Sequence, residues 1–324
     1  MIVDLPNTTS AKISKALVRI REDGGAVALG RVLTLIIATE FGNEEEAIAA
    51  ANDASREHPM RVLVVSTSTA PSARDEESRV DAQIRVGGDA GASEVVVVTA
   101  HGDAALDQES LVTGLLLPDA PVVAWWPGEA PANASESPLG RITQRRITDA
   151  AASVHPLEAM NRMCQTYVPG DTDFAWTRLT LWRAQLAAVL DQPPYEPITA
   201  VTVSGAAESA STMLLAAWLQ MQLKVDVAVE VAEGSPVPTG IHSVVLERQS
   251  GIIRLERNEA TIATLTQPNQ PVHDISLPRR SLRDCLAEEL RRLDPDSLFG
   301  EVVRRGVSEL ATSHVASPTK AVNR

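Results

Sequence analysis

Cysteine is nearly absent from this chain: Cys164 and Cys285 are the two in 324 residues. That excludes a disulfide framework and fits a reducing compartment. Long apolar runs are missing as well. Leu33 to Ala38 and Val95 to Thr99 are strand-sized, far short of the roughly 20 residues a membrane span needs. No basic stretch followed by an apolar one opens the chain, so no secretory signal is expected and the protein is read as cytoplasmic, with no membrane partner. Positive charge is in deficit, 29 basic against 42 acidic residues and a formal charge of -13, which repels DNA and RNA. No nucleic-acid partner is expected. Aromatic residues are scarce at 3%, yet five are tryptophan against two tyrosines and three phenylalanines.

Motifs of catalysis are also missing. No His-Glu-x-x-His, no Cys-x-x-Cys and no EF-hand loop occurs, and the six histidines are scattered, so no local metal site is expected. There is no Gly-x-Ser-x-Gly nucleophile turn. The stretch Gly24-Gly25-Ala26-Val27-Ala28-Leu29-Gly30 runs into Arg31 and lacks the Lys-Ser/Thr of a phosphate loop. No catalytic residue and no cofactor is read from the sequence.

What is present is a globular composition, 44% hydrophobic and 22% charged, with length for about two domains. Helical spacing of Ile13, Ala16, Leu17 and Ile20 predicts a helix over 9–22, stopped by Gly24-Gly25. Val32 to Thr39, Arg61 to Ser66, Glu94 to Thr99 and Pro121 to Trp126 read as buried strands. Val80 to Val86 alternates like an edge strand closed by Gly87-Gly88. Helices are expected over 44–57, 106–117 and 156–164, and 128–138 reads as a surface loop. Strands alternating with helices predict an α/β fold with a mostly parallel sheet flanked by helices. Val168-Pro169-Gly170-Asp171 is the expected boundary, giving an N-terminal α/β domain over 1–168. The second α/β domain, 169–311, opens with a long helix over 173–190. It continues with a strand, a helix and a strand, then a β-meander over 243–265 and two closing helices (280–293, 297–310). Residues 312–324 are expected to be a disordered tail.

Four places invite a functional reading. Trp125-Trp126-Pro127-Gly128 ends a parallel strand, where open α/β sheets bind ligands. Adjacent strand residues face opposite ways, so one indole belongs to the core and the other, Trp126, is a candidate for the carboxyl edge. Trp176 and Trp182 lie six positions apart, off a common helix face. With Trp182 inward, Trp176, Arg178 and Arg183 face either the other domain or a partner, for which Trp and Arg are suited. Arg145-Arg146 can serve a phosphate or a carboxylate of a partner. The turn Val203-Ser204-Gly205-Ala206 before a helix can receive an anion at Ser204 and Gly205, although it has one glycine where a dinucleotide fingerprint has three; a plain α/β turn is the alternative. The aspartate pairs Asp171/Asp173 and Asp294/Asp296 are read as helix caps, and Cys285 as a core residue.

These segments resemble one family. Leu33-Thr34-Leu35-Ile36-Ile37, His58-Pro59-Met60-Arg61-Val62-Leu63-Val64, Leu117 to Gly128 (LPDAPVVAWWPG), Asp173 to Arg183 (DFAWTRLTLWR) and Leu286 to Asp296 (LAEELRRLDPD) stand in the order found in the glucose-6-phosphate dehydrogenase assembly protein (OpcA) family of actinobacteria and cyanobacteria. The resemblance runs from about residue 5 to 311. It implies a non-catalytic protein that binds glucose-6-phosphate dehydrogenase, promotes its oligomeric assembly and raises its activity, supporting NADPH supply. The implied chemistry is a few desolvated Trp and Arg anchors inside an acidic rim. Cysteine-based redox control, attributed to cyanobacterial members, fits poorly with two cysteines on apolar helix faces. A sugar-phosphate sensor or enzyme using Ser204-Gly205 is the alternative, and an NADP oxidoreductase a weaker third.

Overall fold

The computed structural model describes residues 1–23, 31–68, 75–87, 94–232 and 239–316. The readings placed on Gly24-Gly25, on the phosphate-loop-like stretch and on Gly88 lie outside the described residues. In chain order the elements begin β1 (Ile2–Leu5), α1 (Ser10–Asp23), β2 (Leu33–Glu40), α2 (Glu44–Ala54), β3 (Met60–Thr67), β4 (Arg79–Val86) and β5 (Glu94–His101). They continue with α3 (Gln108–Thr113), β6 (Val122–Trp125), α4 (Pro138–Arg141), β7 (Arg145–Thr148), α5 (Pro156–Thr166), β8 (Asp171–Asp173), α6 (Phe174–Thr177) and α7 (Thr180–Leu190). Then come β9 (Ala200–Gly205), α8 (Ala210–Leu223), β10 (Val227–Val231), β11 (Ile241–Arg248), β12 (Gly251–Arg257), β13 (Ile262–Thr266) and β14 (His273–Ser276). The chain closes with α9 (Leu282–Arg291), α10 (Ser297–Glu301) and α11 (Val307–Ala316).

Two compact units result, both discontinuous. The first holds residues 1–152, 170–172 and 281–295; the second holds 153–169, 173–280 and the rest from 296.

In the first unit an eight-stranded sheet runs β1-β4-β5-β3-β2-β6-β7-β8. The pairs from β5 through β3, β2 and β6 to β7 are parallel; β4 and β1 add antiparallel strands. The mostly parallel α/β reading holds. The apolar runs of β2, β3 and β5 are buried on both faces, as a sheet covered by helices requires. On one face Ile36, Leu63, Val65, Val96 and Val98 meet Ile13 and Leu17 of α1 and Leu111 and Val112 of α3. β4 is not the edge that its alternation predicts. Ile2 to Leu5 pair with it residue for residue, and the Met1 carbonyl accepts from the Val86 amide. α9, grouped by sequence position with the second half, packs against α2, with His58 Nε2 3.2 Å from the Ala287 carbonyl oxygen and Arg291 paired to Glu57 at 3.1 Å.

In the second unit the sheet order is β10-β9-β11-β12-β13-β14, parallel only between β9 and β10. The expected meander is β11 to β13, extended by β14. α8 is buried nearly all round and packs on β9 and β10. The single long helix expected over 173–190 is two helices. Asp173 caps the first by accepting from the Ala175 amide at 2.7 Å, and the Thr177 and Thr180 hydroxyls turn back on carbonyls of the preceding residues, loosening the ladder at Arg178-Leu179. α11 continues to Ala316, past the 311 at which the sequence reading ends the fold. The remainder of the expected tail, 317–324, lies outside the described residues.

Candidate functional site

The strand order places a topological switch point between β2 and β6. β3 follows β2 on one side, and β6 returns on the other. In such sheets ligands bind outside the carboxyl ends of the two diverging strands, with phosphate on the amides of the helix after the first. Here the positions at those ends are Glu40, which closes β2, with Phe41 and Gly42 after it, and Trp126-Pro127-Gly128 after β6. The helix that would take the phosphate, α2, opens with Glu44, Glu45 and Glu46. The Ser66 hydroxyl donates to the Glu44 carboxylate, so that carboxylate is held at the sheet edge. Arg85 grips Glu45 through two bonds of 2.7 and 3.0 Å and keeps its carboxyl below the ordinary carboxylate range. Gly42, at φ 86°, is the one glycine in the turn. The strand order is that of a doubly wound sheet, but the start of α2 does not suit a phosphate: it opens on three carboxylates, Glu44 held by Ser66, Glu45 by Arg85, and Glu46, whose charge opposes an anion there.

Both indoles of the Trp125-Trp126 pair are buried. Trp125 points to one layer of the sheet. Trp126, read as a candidate edge residue, joins the opposite layer with Ala124 and Leu139 and keeps 5% of its surface. The loop 128–138 supplies Ala130 and Ala134 to that cluster, and this closes the layer at Trp126.

Arg145 and Arg146 do bind carboxylates, but internal ones. Arg145 pairs with Glu289 of α9 and donates to the Asp294 carbonyl at 3.0 Å; Thr172 Oγ1 donates to the other Glu289 oxygen at 3.3 Å. Arg146 pairs with Asp171 and donates to the Thr143 carbonyl at 2.9 Å. All four charged side chains are buried, so β7 is tied to α9 and β8 by charge-assisted bonds in a dry setting.

Trp176 lies in the core of the second unit. Its Nε1 donates to Asp296 at 2.9 Å, its ring tilts against Phe299 with centroids 5.6 Å apart, and the Arg183 guanidinium lies 3.8 Å above it. Asp296 also caps α10 by accepting from the Phe299 amide, and so one carboxylate joins α6 to α10. Arg178 stacks over Phe174 at 5.9 Å, and both it and Arg183 are half-buried. Ser204 and Gly205 lie in a turn that is filled from within. Ser204 Oγ shares a 2.7 Å hydrogen bond with Ser243 Oγ, and the Ala206 amide is taken by the Gly240 carbonyl at 2.9 Å. A Cβ on Gly205 would come within 2.1 Å of Thr212 Oγ1, which occupies the space a phosphate would need. Ser209 caps α8 through the Thr212 amide.

The structure thus brings Arg145 beside Glu289 in the first unit and Trp176 beside Arg183 in the second. By itself the acidic start of α2 suits the helix dipole. Its bearing on a ligand needed the strand order, which no local pattern carries. Burial and the nearby Asp173 push the Cys164 thiol up to about 11, and Cys285 is buried; neither is in a disulfide. Among the described residues no group of three or more metal-ligating side chains occurs, and no helix is long and apolar enough to cross a membrane.

Comparison with known proteins adds two kinds of finding. Among solved structures the chain is similar to a 3-ketoreductase from Actinomadura kijaniata, with 11% identity, 87% of this chain and 98% of the other covered and a TM-score of 0.47. It is also similar to a myo-inositol dehydrogenase from Lactobacillus casei, with 11% identity, coverage of 90% and 97% and a TM-score of 0.46. No curated protein sequence matches. Residues 51–165 match the family described as the glucose-6-phosphate dehydrogenase subunit N-terminal domain, and residues 169–303 match its C-terminal domain. With both halves matched in order, the chain belongs to the OpcA family of glucose-6-phosphate dehydrogenase assembly subunits.

Proposed function

We propose that this protein is a non-catalytic assembly factor. It binds glucose-6-phosphate dehydrogenase, promotes its oligomerisation and raises its activity, supporting NADPH supply by the oxidative pentose phosphate pathway in the cytoplasm. The observation that carries this reading is the two-domain family match over 51–303. The acidic wall at the switch point supports its non-catalytic part: the Glu44-Glu45-Glu46 turn disfavours the dinucleotide that a dehydrogenase would need. Of the six residues offered as partner contacts, Arg178 and Arg183 are half-buried, whereas Trp126, Trp176, Arg145 and Arg146 are buried. The proposal accordingly gives contact with the dehydrogenase to the two half-buried arginines. The other four hold the scaffold that presents them. A formal charge of -13 speeds the encounter with a basic patch and makes association weaken with salt.

The test mixes purified protein with the dehydrogenase and follows turnover and size by gel filtration. A faster rate together with a larger dehydrogenase species is expected. If neither changes across a range of ratios, the proposal falls.

A further inference from the structure

We infer that the first unit binds a small dianion of the phosphate type at three arginines, Arg21, Arg31 and Arg61, gathered on the single carboxylate of Glu94. The cluster stands at the amino ends of the parallel strands. Glu94 opens β5, Arg61 lies opposite it in β3, Arg31 precedes β2, and Arg21 belongs to the last turn of α1. This is the end of the sheet away from the switch point and the acidic start of α2. Arg61 is spent within the fold. Its Nε and Nη2 each lie 2.7 Å from Glu94 Oε1, its Nη1 donates to the Leu115 carbonyl at 2.6 Å, and both members of the pair are buried.

One arginine neutralises one carboxylate, as Arg145 does Glu289 and Arg146 does Asp171. At Glu94 two more guanidinium groups crowd the same side chain: Arg21 Nε lies 3.3 Å and Arg31 Nη2 3.0 Å from Oε2. Among the described residues no second carboxylate pairs with any of the three, so three positive charges against one negative leave an excess of two. The Arg31 Nε is buried without a hydrogen-bond partner. Its side chain keeps 16% of its exposure and that of Arg21 keeps 42%, so the cluster has a buried floor and a rim that water reaches. Burial lowers the Arg61 guanidinium from its ordinary value, and the like charges of Arg21 and Arg31 press the same way against the pull of Glu94. Like charges held this close are unfavourable without a counter-charge, and both Glu94 oxygens are already shared. A phosphate dianion matches the excess and offers oxygens to both remaining guanidinium forks; chloride or a single carboxylate would leave one positive charge uncompensated. The site does not depend on the assembly reading.

The test uses the full chain in phosphate-free buffer. Inorganic phosphate, or the monoester glycerol 2-phosphate, is titrated against chloride at matched ionic strength, with thermal unfolding as the readout. The wild-type midpoint is expected to rise with the logarithm of anion concentration. A rise confined to inorganic phosphate assigns the site to the free ion, and a rise with the monoester assigns it to a phosphate ester. Arg31→Gln and Arg21→Gln are each expected to weaken half-saturation by about tenfold or more. Arg21→Gln, a change at an exposed position, decides the matter if Arg31→Gln does not fold. Arg56→Gln, which alters an exposed arginine of the same unit paired with Asp53, is expected to respond as wild type does. A wild type that responds to neither anion more than to chloride would overturn the site. So would Arg21→Gln and Arg31→Gln proteins that bind as tightly as wild type, or an equal weakening in Arg56→Gln, which would reduce the effect to general surface charge.

Discussion

The most informative single perturbation is Trp176→Ala, because a contact residue and a core residue answer it differently. The indole is almost wholly buried, donates to Asp296, tilts against Phe299 and carries Arg183 on its face. Removing a buried tryptophan costs roughly 3–5 kcal/mol through lost transfer energy and the cavity left behind. The stranded Arg183 stack adds about 0.5–1 kcal/mol. Against a total domain stability of about 5–15 kcal/mol, that is a large share. Trp176→Phe separates the contributions. The ring volume is mostly kept, Asp296 retains the Phe299 amide, and its freed oxygen sits on a half-buried residue that water reaches. The expected loss is therefore about 1 kcal/mol, one neutral-to-charged hydrogen bond discounted for rehydration. Urea unfolding followed by circular dichroism measures both variants, and dehydrogenase activation is assayed on the folded fraction. Trp176→Ala is expected to lower the unfolding midpoint strongly, with activation lost only as folded protein is lost. A Trp176→Ala protein as stable as wild type yet unable to activate would refute the placement of the indole in the core and return it to the partner surface.

Two further outcomes follow from buried charge and buried sulfur. Glu289→Ala is expected to cost about 3–5 kcal/mol, because it leaves Arg145 buried without its carboxylate. The double variant Arg145→Met with Glu289→Leu is expected to recover most of that loss, so a double-mutant cycle giving strictly additive losses would exclude the pair as a coupled unit. For Cys164, a thiol raised from 9.0 to about 11 stays protonated in the fold after the unfolded thiol has ionised. Native protein thus binds more protons than unfolded protein between those values, and stability falls as pH rises through that window. Alkylation of Cys164 in the native state is expected to be slow at pH 7.5 and to climb toward pH 11; rapid labelling at neutral pH would contradict its burial.

Much of the fold was legible in the sequence because its strands are long apolar runs. β2, β3 and β5 are buried on both faces, and a continuous Val/Ile/Leu stretch between turn residues has few other homes in an α/β protein. The elements that escaped are short or depend on distant partners. β1 is four residues with half its side chains exposed, and β8 is three residues, so neither fills a period long enough to recognise. The break between α6 and α7 is set by hydroxyls turning back on carbonyls, a competition that helical apolar spacing does not register. The return of α9 to the first unit rests on distant partners, a glutamate meeting an arginine 144 positions earlier and packing against α2, which no local window can see.

The candidate site shows the same division between what a residue type offers and what the fold lets it meet. Trp and Arg were singled out because they dominate interfaces, but the same properties suit a core that must join short elements. An indole fills volume and still donates one hydrogen bond, and a guanidinium stacks on it while reaching for a carbonyl or carboxylate. Trp176 with Asp296 and Arg183, and Arg145 with Glu289, use those capacities within the chain. The acidic opening of α2 runs the other way. Three glutamates at a helix start look like ordinary dipole matching until the strand order shows that this helix follows the strand at the switch point, where a dinucleotide fold would place its phosphates. A chain that keeps this sheet order while opening the helix after β2 with carboxylates has a strand order suited to a dinucleotide and a charge that opposes it. That combination is what a protein working through its surface on another enzyme would be expected to show.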